Sequence, residues 1–263
     1  MSLDPRRAAL WQAMGLGAEW LRRDAVAVEA AAGRRSAAGR AADLDRTAQG
    51  SPPGSPSAPT DDRAEAIAAM DWTELEAAVA GCDACSLCRS RTRTVFGVGS
   101  RTAPWLIVGE APGAEEDARG EPFVGQAGRL LDNMLAAVGR SRAADAAQPV
   151  FIANVLKCRP PGNRNPQPEE VAACEPFLRR QIELLQPRLV LVMGRFAAQS
   201  VLQTDAAISA LRGRVHRLRV AGSEVAAIVT YHPAYLLRNL ADKAKVWADL
   251  CLALDVDASA GSG

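Results

Sequence analysis

The residues of this chain best suited to chemistry are a few cysteines, one histidine, a pair of acidic positions and one asparagine. The cysteines are Cys82, Cys85, Cys88, Cys158, Cys174 and Cys251, and the first three form a C-x2-C-x2-C run. A two-residue gap lets two thiolates reach one centre. Four such soft ligands suit Zn²⁺ or an iron–sulfur cluster, and spacing alone does not choose between them. Cys251 lies between Leu250 and Leu252 and reads as a small buried hydrophobe. Of the two histidines, His216 sits in a run alternating apolar and basic residues, where a structural or surface role is expected. His232 follows an apolar run and precedes Pro233, so it is a candidate donor held in a loop, a packing or capping histidine being the plain alternative. Glu110 ends an apolar run. Glu116 lies between Glu115 and Asp117, where the alternative is a solvated helix start.

Strands alternating with helices must place these groups. Apolar runs at Trp105–Val108, Val150–Leu156, Arg188–Met193 and Val225–Thr230 read as buried strands. Val215–Val220 alternates as a strand with one wet face does. Helical spacing runs through Gly128–Val138, Pro168–Leu185, Phe196–Leu202 and Lys243–Leu252, and Asp71 with Glu74 forms a capping-box pattern. Such alternation implies right-handed crossovers. The expected fold is α/β, a three-layer α/β/α sandwich around a central, mostly parallel four-stranded sheet. Ligands in such folds sit beyond the carboxyl ends of the strands. That rule selects Gly109–Gly113, Asn154–Cys158 and Tyr231–Pro233, the segments that hold most of the reactive residues.

The 263-residue chain is long enough for one such domain plus accessory segments, here expected as residues 61–255. Residues 1–60 read as an appendage, with an Ala- and Arg-rich stretch, a short helix around Ala8–Arg22 and a Pro/Ser/Gly linker at Gly50–Pro59. Residues 256–263 read as a tail. There is no apolar run of membrane-spanning length and no secretory pattern, so a cytoplasmic protein is expected, and disulfides are not. The net charge of +1 averages unlike parts: residues 1–80 hold 9 Arg against 12 Asp or Glu, and the remainder holds 22 Lys or Arg against 18. A basic body tolerates a polyanion, but this excess is too small to identify one.

Four stretches together carry a resemblance: Gly109–Gly113 (GEAPG), Gly120–Asp132 (GEPFVGQAGRLLD), Asn154–Asn165 (NVLKCRPPGNRN) and Tyr231–Leu237 (YHPAYLL). In this order and with these gaps, the chain from about Gly81 to Leu252 closely resembles the family 4, thermostable-type uracil-DNA glycosylases of bacteria and archaea. The resemblance implies removal of uracil from single- or double-stranded DNA, leaving an abasic site. It also implies a [4Fe-4S] cluster on Cys82, Cys85, Cys158 and Cys174, without Cys88. No histidine lies between Glu110 and Cys158, so ordinary turnover is expected instead of covalent capture.

The same resemblance assigns roles. His232 would donate to uracil O2, where charge develops as the bond breaks. Asn154 would read the base edge and Phe123 would stack on its ring. Related branches place Asp or Asn where this chain has Ala111, so the water-positioning work would pass to Glu110 or Glu116. Gly109, Ala111 and Gly113 would form the pocket wall close to the nucleotide. Leu236 or Leu237 would fill the gap left by the flipped base, and Arg159, Arg164 and Arg238 would meet phosphates. A monomer is expected, and residues 1–60 offer contacts for repair partners. The rival functions are a glycosylase of broader base preference, a non-catalytic iron–sulfur DNA-binding protein, and a zinc-stabilised nucleotide-binding module.

Overall fold

The computed structural model describes residues 59–260. The helix expected at Ala8–Arg22 and nearly all of the linker lie outside them. The chain runs α1 (Pro59–Ala69), α2 (Trp72–Ala80), β1 (Val98–Gly99), β2 (Trp105–Gly109), α3 (Ala114–Arg119), α4 (Gln126–Ala137) and β3 (Val150–Asn154). It continues through α5 (Pro168–Leu185), β4 (Leu189–Met193), α6 (Arg195–Leu202), α7 (Ile208–Leu211), β5 (Val215–Val220), β6 (Ser223–Thr230), α8 (Pro233–Leu236) and α9 (Lys243–Ala260). No described helix is long and apolar enough to cross a membrane.

The sheet has six strands in the order β1-β3-β2-β4-β6-β5, not the four expected. Its four central strands, β3, β2, β4 and β6, are all parallel. The two added strands, β1 and β5, pair antiparallel at opposite edges. β1 is only two residues long, too short for any periodic signal. β5 was legible as a strand, since its residues alternate between exposed and covered, but its place at an edge is set by pairing with β6.

Side chains alternate across the central strands, and this divides the core in two. Trp105, Ile107, Val150, Ile152, Leu189, Leu191 and Ile228 point to the face covered by α4, α8 and α9. Leu106, Val108, Phe151, Ala153, Val190, Val192 and Val229 point to the face covered by α1, α2, α5 and α6. The three-layer arrangement follows directly, because strands buried on both faces need helices on both.

The ends of this layer differ from the sequence expectation. α1 is not marked by periodicity, yet Arg63 anchors it to α5 by donating to Ala173 O (3.0 Å) and lying 4.8 Å above the Phe177 ring. α9 continues to Ala260, so residues 256–260 belong to a helix and not to a tail. Asp257 in that extension pairs with Arg140 and Arg188. At α2 the expected capping box is present: Asp71 Oδ1 accepts from the amides of Thr73 and Glu74, while Glu74 accepts from the Asp71 amide.

Candidate active site

The carboxyl ends of β2, β3 and β6 open into one cleft of about 470 Å³. Glu110, Ala111, Gly113, Glu116, Phe123, Asn154, Arg164, His232 and Arg238 all line it. Residues up to 128 positions apart in sequence thus converge because three parallel strands end side by side.

Asn154 ends β3 opposite Gly109 in the β2–β3 register. It is 2% exposed, and no hydrogen bond among the described residues engages its side-chain amide. Its carbonyl is held instead by Lys157, whose fully buried ammonium donates to Asn154 O (2.8 Å) and Gln181 Oε1 (2.7 Å). Gln181 in turn donates to Phe96 O (3.0 Å). A nearly buried amide left free by the protein is costly unless a ligand uses it.

Gly109 explains how the amide and the aromatic ring come together. A Cβ at this position would stand 2.3 Å from Asn154 Oδ1 and 2.6 Å from Phe123 Cζ. Only glycine leaves both side chains where they are. Gly109 therefore sits behind the cleft wall and makes room for its polar and aromatic groups.

His232 is the N-cap of α8, and its Nδ1 accepts from the Ala234 amide (3.1 Å). Accepting at Nδ1 places the proton of the neutral ring on Nε2. Burial drives its pKa down to about 4, with Glu116 opposing and Arg238 reinforcing that shift. The ring is therefore a neutral donor at physiological pH. The strand end before it is fixed from below: Thr230 donates to Asp249 Oδ2 (2.7 Å), and Asp249 also holds Arg212 and the Gly213 amide.

The two glutamates part company. Glu110 lines the cleft with no hydrogen bond to its carboxylate among the described residues, and burial raises its pKa against the pull of Arg195. Glu116 is spent on backbone: Oε2 accepts from the Gly113 amide (3.0 Å), and Oε1 from the amides of Val124 (3.0 Å) and Gly125 (3.4 Å). It ties the GEAPG loop to the loop bearing Phe123. Its neighbour Asp117 is not at a solvated helix start, being 3% exposed and accepting from the Thr92 amide (2.8 Å).

The expected DNA contacts also separate. Leu236 is fully buried in the core beneath α8, so it is unavailable to a duplex. Leu237, one position on, is 41% exposed beside exposed Arg238. Arg164 is committed inward, donating to both carboxylate oxygens of buried Glu170, one bond being 2.9 Å. That bond holds the Glu170 carboxyl below its usual range. Arg159 donates to Asn163 Oδ1 (2.7 Å) within its own loop. His216 bonds Leu211 O (2.6 Å), the structural role expected of it.

Cys85, Cys158 and Cys174 pack with Leu87, Leu156 and Ala111 in a small apolar cluster under the GEAPG loop. Cys82 is joined to it by Arg91, which donates to Cys82 O (2.6 Å) and Cys158 Sγ (3.3 Å). Arg63 also donates to Cys82 Sγ (3.7 Å). Burial raises the pKa values of the Cys85, Cys158 and Cys174 thiols, that of Cys174 to about 11. Among the described residues, no three or more Cys, His, Asp or Glu side chains close around a metal-ion position. Cys251 packs against the main core.

Lys157, Gln181, Arg91 and Asp249 escaped the sequence reading, because a buried lysine or aspartate has no signature until its partners are in place.

Comparison with known proteins agrees with this geometry. A model of the uracil DNA glycosylase superfamily matches residues 96–251. The chain is 45% identical over 163 residues to a type-4 uracil-DNA glycosylase of Archaeoglobus fulgidus, covering 60% of this chain and 79% of that one. With a type-4 uracil-DNA glycosylase of Pyrobaculum aerophilum it shares 40% identity over 187 residues, covering 70% and 93%. With a type-5 uracil-DNA glycosylase of the same organism it shares 33% over 152 residues, covering 54% and 66%. Since the matched span contains the whole parallel sheet and every cleft residue from Glu110 to Arg238, this chain belongs to the uracil DNA glycosylase superfamily.

Proposed function

We infer that this protein is a uracil-DNA glycosylase of the type-4 kind, hydrolysing the N-glycosidic bond of uracil in DNA to leave an abasic site, the first step of base excision repair. The observation that carries this is the unpaired Asn154 amide facing the same cleft as a neutral His232. An amide accepts from uracil N3–H and donates to O4. Cytosine exchanges that donor and acceptor and is refused.

The base reaches such a site only after leaving the duplex, at a cost of a few kcal/mol. Phe123 offers a face on which the flipped ring stacks. As the bond breaks, negative charge gathers on uracil O2. A neutral His232 donating from Nε2 strengthens its hydrogen bond at that moment without having first to lose a proton. Glu110, with a carboxylate not engaged by the protein, orients the attacking water or offsets charge on the sugar. The oxocarbenium-like sugar is electrophilic enough for weak activation of water to suffice. Glu116 positions the loops around it. Leu237 and Arg238 supply an apolar tip and a phosphate contact at the rim.

Cys82, Cys85, Cys158 and Cys174 are the residues that would hold a [4Fe-4S] cluster. Their chemistry fits: four thiols from three segments, three of them in one apolar nest, with Arg63 and Arg91 donating to their sulfurs. When bound, the cluster supplies cross-linking, fixing the segment before β1 to the 158–174 excursion.

The test is alkaline strand scission of an oligonucleotide with one central uracil, beside identical strands carrying thymine or hypoxanthine. Uracil-only cleavage, lost in His232→Ala and Asn154→Ala, is the expected result. No uracil release by cluster-loaded protein overturns the activity. Cleavage at hypoxanthine would mean a broader base preference.

A further inference from the structure

The ring of Phe123 is presented by an unusual piece of backbone. Phe123 has φ +55°, a left-handed conformation that bulky residues rarely adopt. No strand or helix contains it, so its carbonyl has no ladder partner. Packing closes off the near side: a Cβ on Gly128 would lie 1.7 Å from Phe123 O, so the first turn of α4 presses directly against this peptide.

One side chain satisfies the turn. Arg142 Nη2 donates to Phe123 O (3.0 Å) and Nη1 to Pro122 O (3.1 Å). Its remaining contacts are Asp132 Oδ1 through Nε (2.6 Å) and Glu121 Oε1 through Nη1 (3.4 Å). Both carboxylates are nearly half exposed, whereas the guanidinium side chain is 18% exposed. Its own backbone is anchored by the neighbouring Ser141, which pairs with Gln148 O (3.1 Å) and the Val150 amide (2.9 Å) at the start of β3. Arg142 thus runs from the sheet framework to the two carbonyls that set the direction of the Phe123 ring.

We propose that Arg142 is a positioning residue for base recognition, acting through Phe123 by locking the left-handed 122–123 turn. It touches no reacting atom. The planar guanidinium suits this role because its fixed fork reaches both carbonyls and Asp132 at once, which an ammonium does not. The proposal rests on Phe123 being the stacking platform for uracil. Without Arg142 the turn loses two charge-assisted hydrogen bonds, and the ring samples directions that do not lie flat on the base.

The test measures kcat, KM and inhibition by free uracil on a single-stranded uracil oligonucleotide, together with melting temperature. The proteins compared are the parent, Arg142→Ala, Arg142→Lys, Phe123→Leu and the Arg142→Ala/Phe123→Leu double variant, all loaded with cluster. Arg142→Ala is expected to raise KM and the free-uracil inhibition constant together by about tenfold, with Arg142→Lys in between. In the Phe123→Leu background the same change is expected to add almost nothing. Losses that multiply in the double variant, or a lowered melting temperature with unchanged uracil inhibition, overturn the proposal. A parent protein that releases no uracil would instead remove the activity on which it rests.

Discussion

The rings of Phe123 and His232 lie nearly parallel, 25° apart, with centroids separated by 5.3 Å. One comes from the loop after α3 and the other from the turn after β6, so their stacking draws two distant loops against one cleft. Phe123 is held at its backbone carbonyl by Arg142, and His232 at its ring by the bond from the Ala234 amide.

That held histidine sets the pH dependence. Burial lowers the His232 pKa to about 4, so the neutral donor persists throughout the neutral range, while burial raises Glu110 above its ordinary value. Activity on single-stranded uracil substrate is expected to fall toward acid as these two groups take up protons. Glu110→Gln should lower kcat and leave only the His232 limb, near 4. In that variant a limb at the ordinary histidine value of about 6.5 would show a solvated, protonatable ring and contradict the arrangement. The same shift links to stability. A histidine whose pKa is depressed by folding binds more protons unfolded, so stability is full above the unfolded value and declines as pH falls from there toward 4.

Gly109→Ala adds one methyl group where Asn154 Oδ1 and Phe123 Cζ already stand within 2.6 Å. Uracil cleavage is expected to fall by about 100-fold, comparable to losing a positioned donor, while the melting temperature changes little. Steady-state kinetics beside a thermal melt separates the two. Near-parent activity would mean that the wall yields.

Arg238 and Arg164 should behave oppositely in salt. Arg238 is exposed at the cleft, and its replacement by Ala is expected to reduce the slope of log affinity against log salt by about 1. Arg164→Ala should leave that slope nearly unchanged but lower the urea midpoint of unfolding, because it strands the buried Glu170 carboxylate. The Glu170 pKa is depressed, so this contribution exists above its unfolded value and is lost as pH falls through the folded one.

Leu237→Ala is expected to slow cleavage in duplex DNA several-fold while sparing single strands, where no gap needs filling. Leu236→Ala should instead lower the melting temperature, since it removes a fully buried side chain at a cost of about 3 kcal/mol. Equal effects on both substrates for Leu237→Ala would exclude a wedge.

The proposed cluster would make the loaded parent brown, and Cys174→Ala is expected to remain colourless and to make the 158–174 excursion the first site of limited proteolysis. Retained colour would remove Cys174 from the ligand set.

The parallel core was legible in the sequence, because short continuous apolar runs alternating with helical segments require strands buried on both faces and joined by crossovers. The sequence also located the three loops of the site, since a doubly wound sheet ends its strands on one side. What it did not determine depends on partners distant in the chain. Leu236 and Leu237 are indistinguishable until α8 settles on the core and turns one inward. Glu116 reads as a reactive carboxylate until three backbone amides fold onto it. Lys157 and Arg142 carry no local pattern at all: each is defined by the carbonyls it meets, and those are brought within reach only by the packing of loops against the sheet. Periodicity reports burial along a segment, whereas hydrogen-bond partnership between segments is decided only in the tertiary fold.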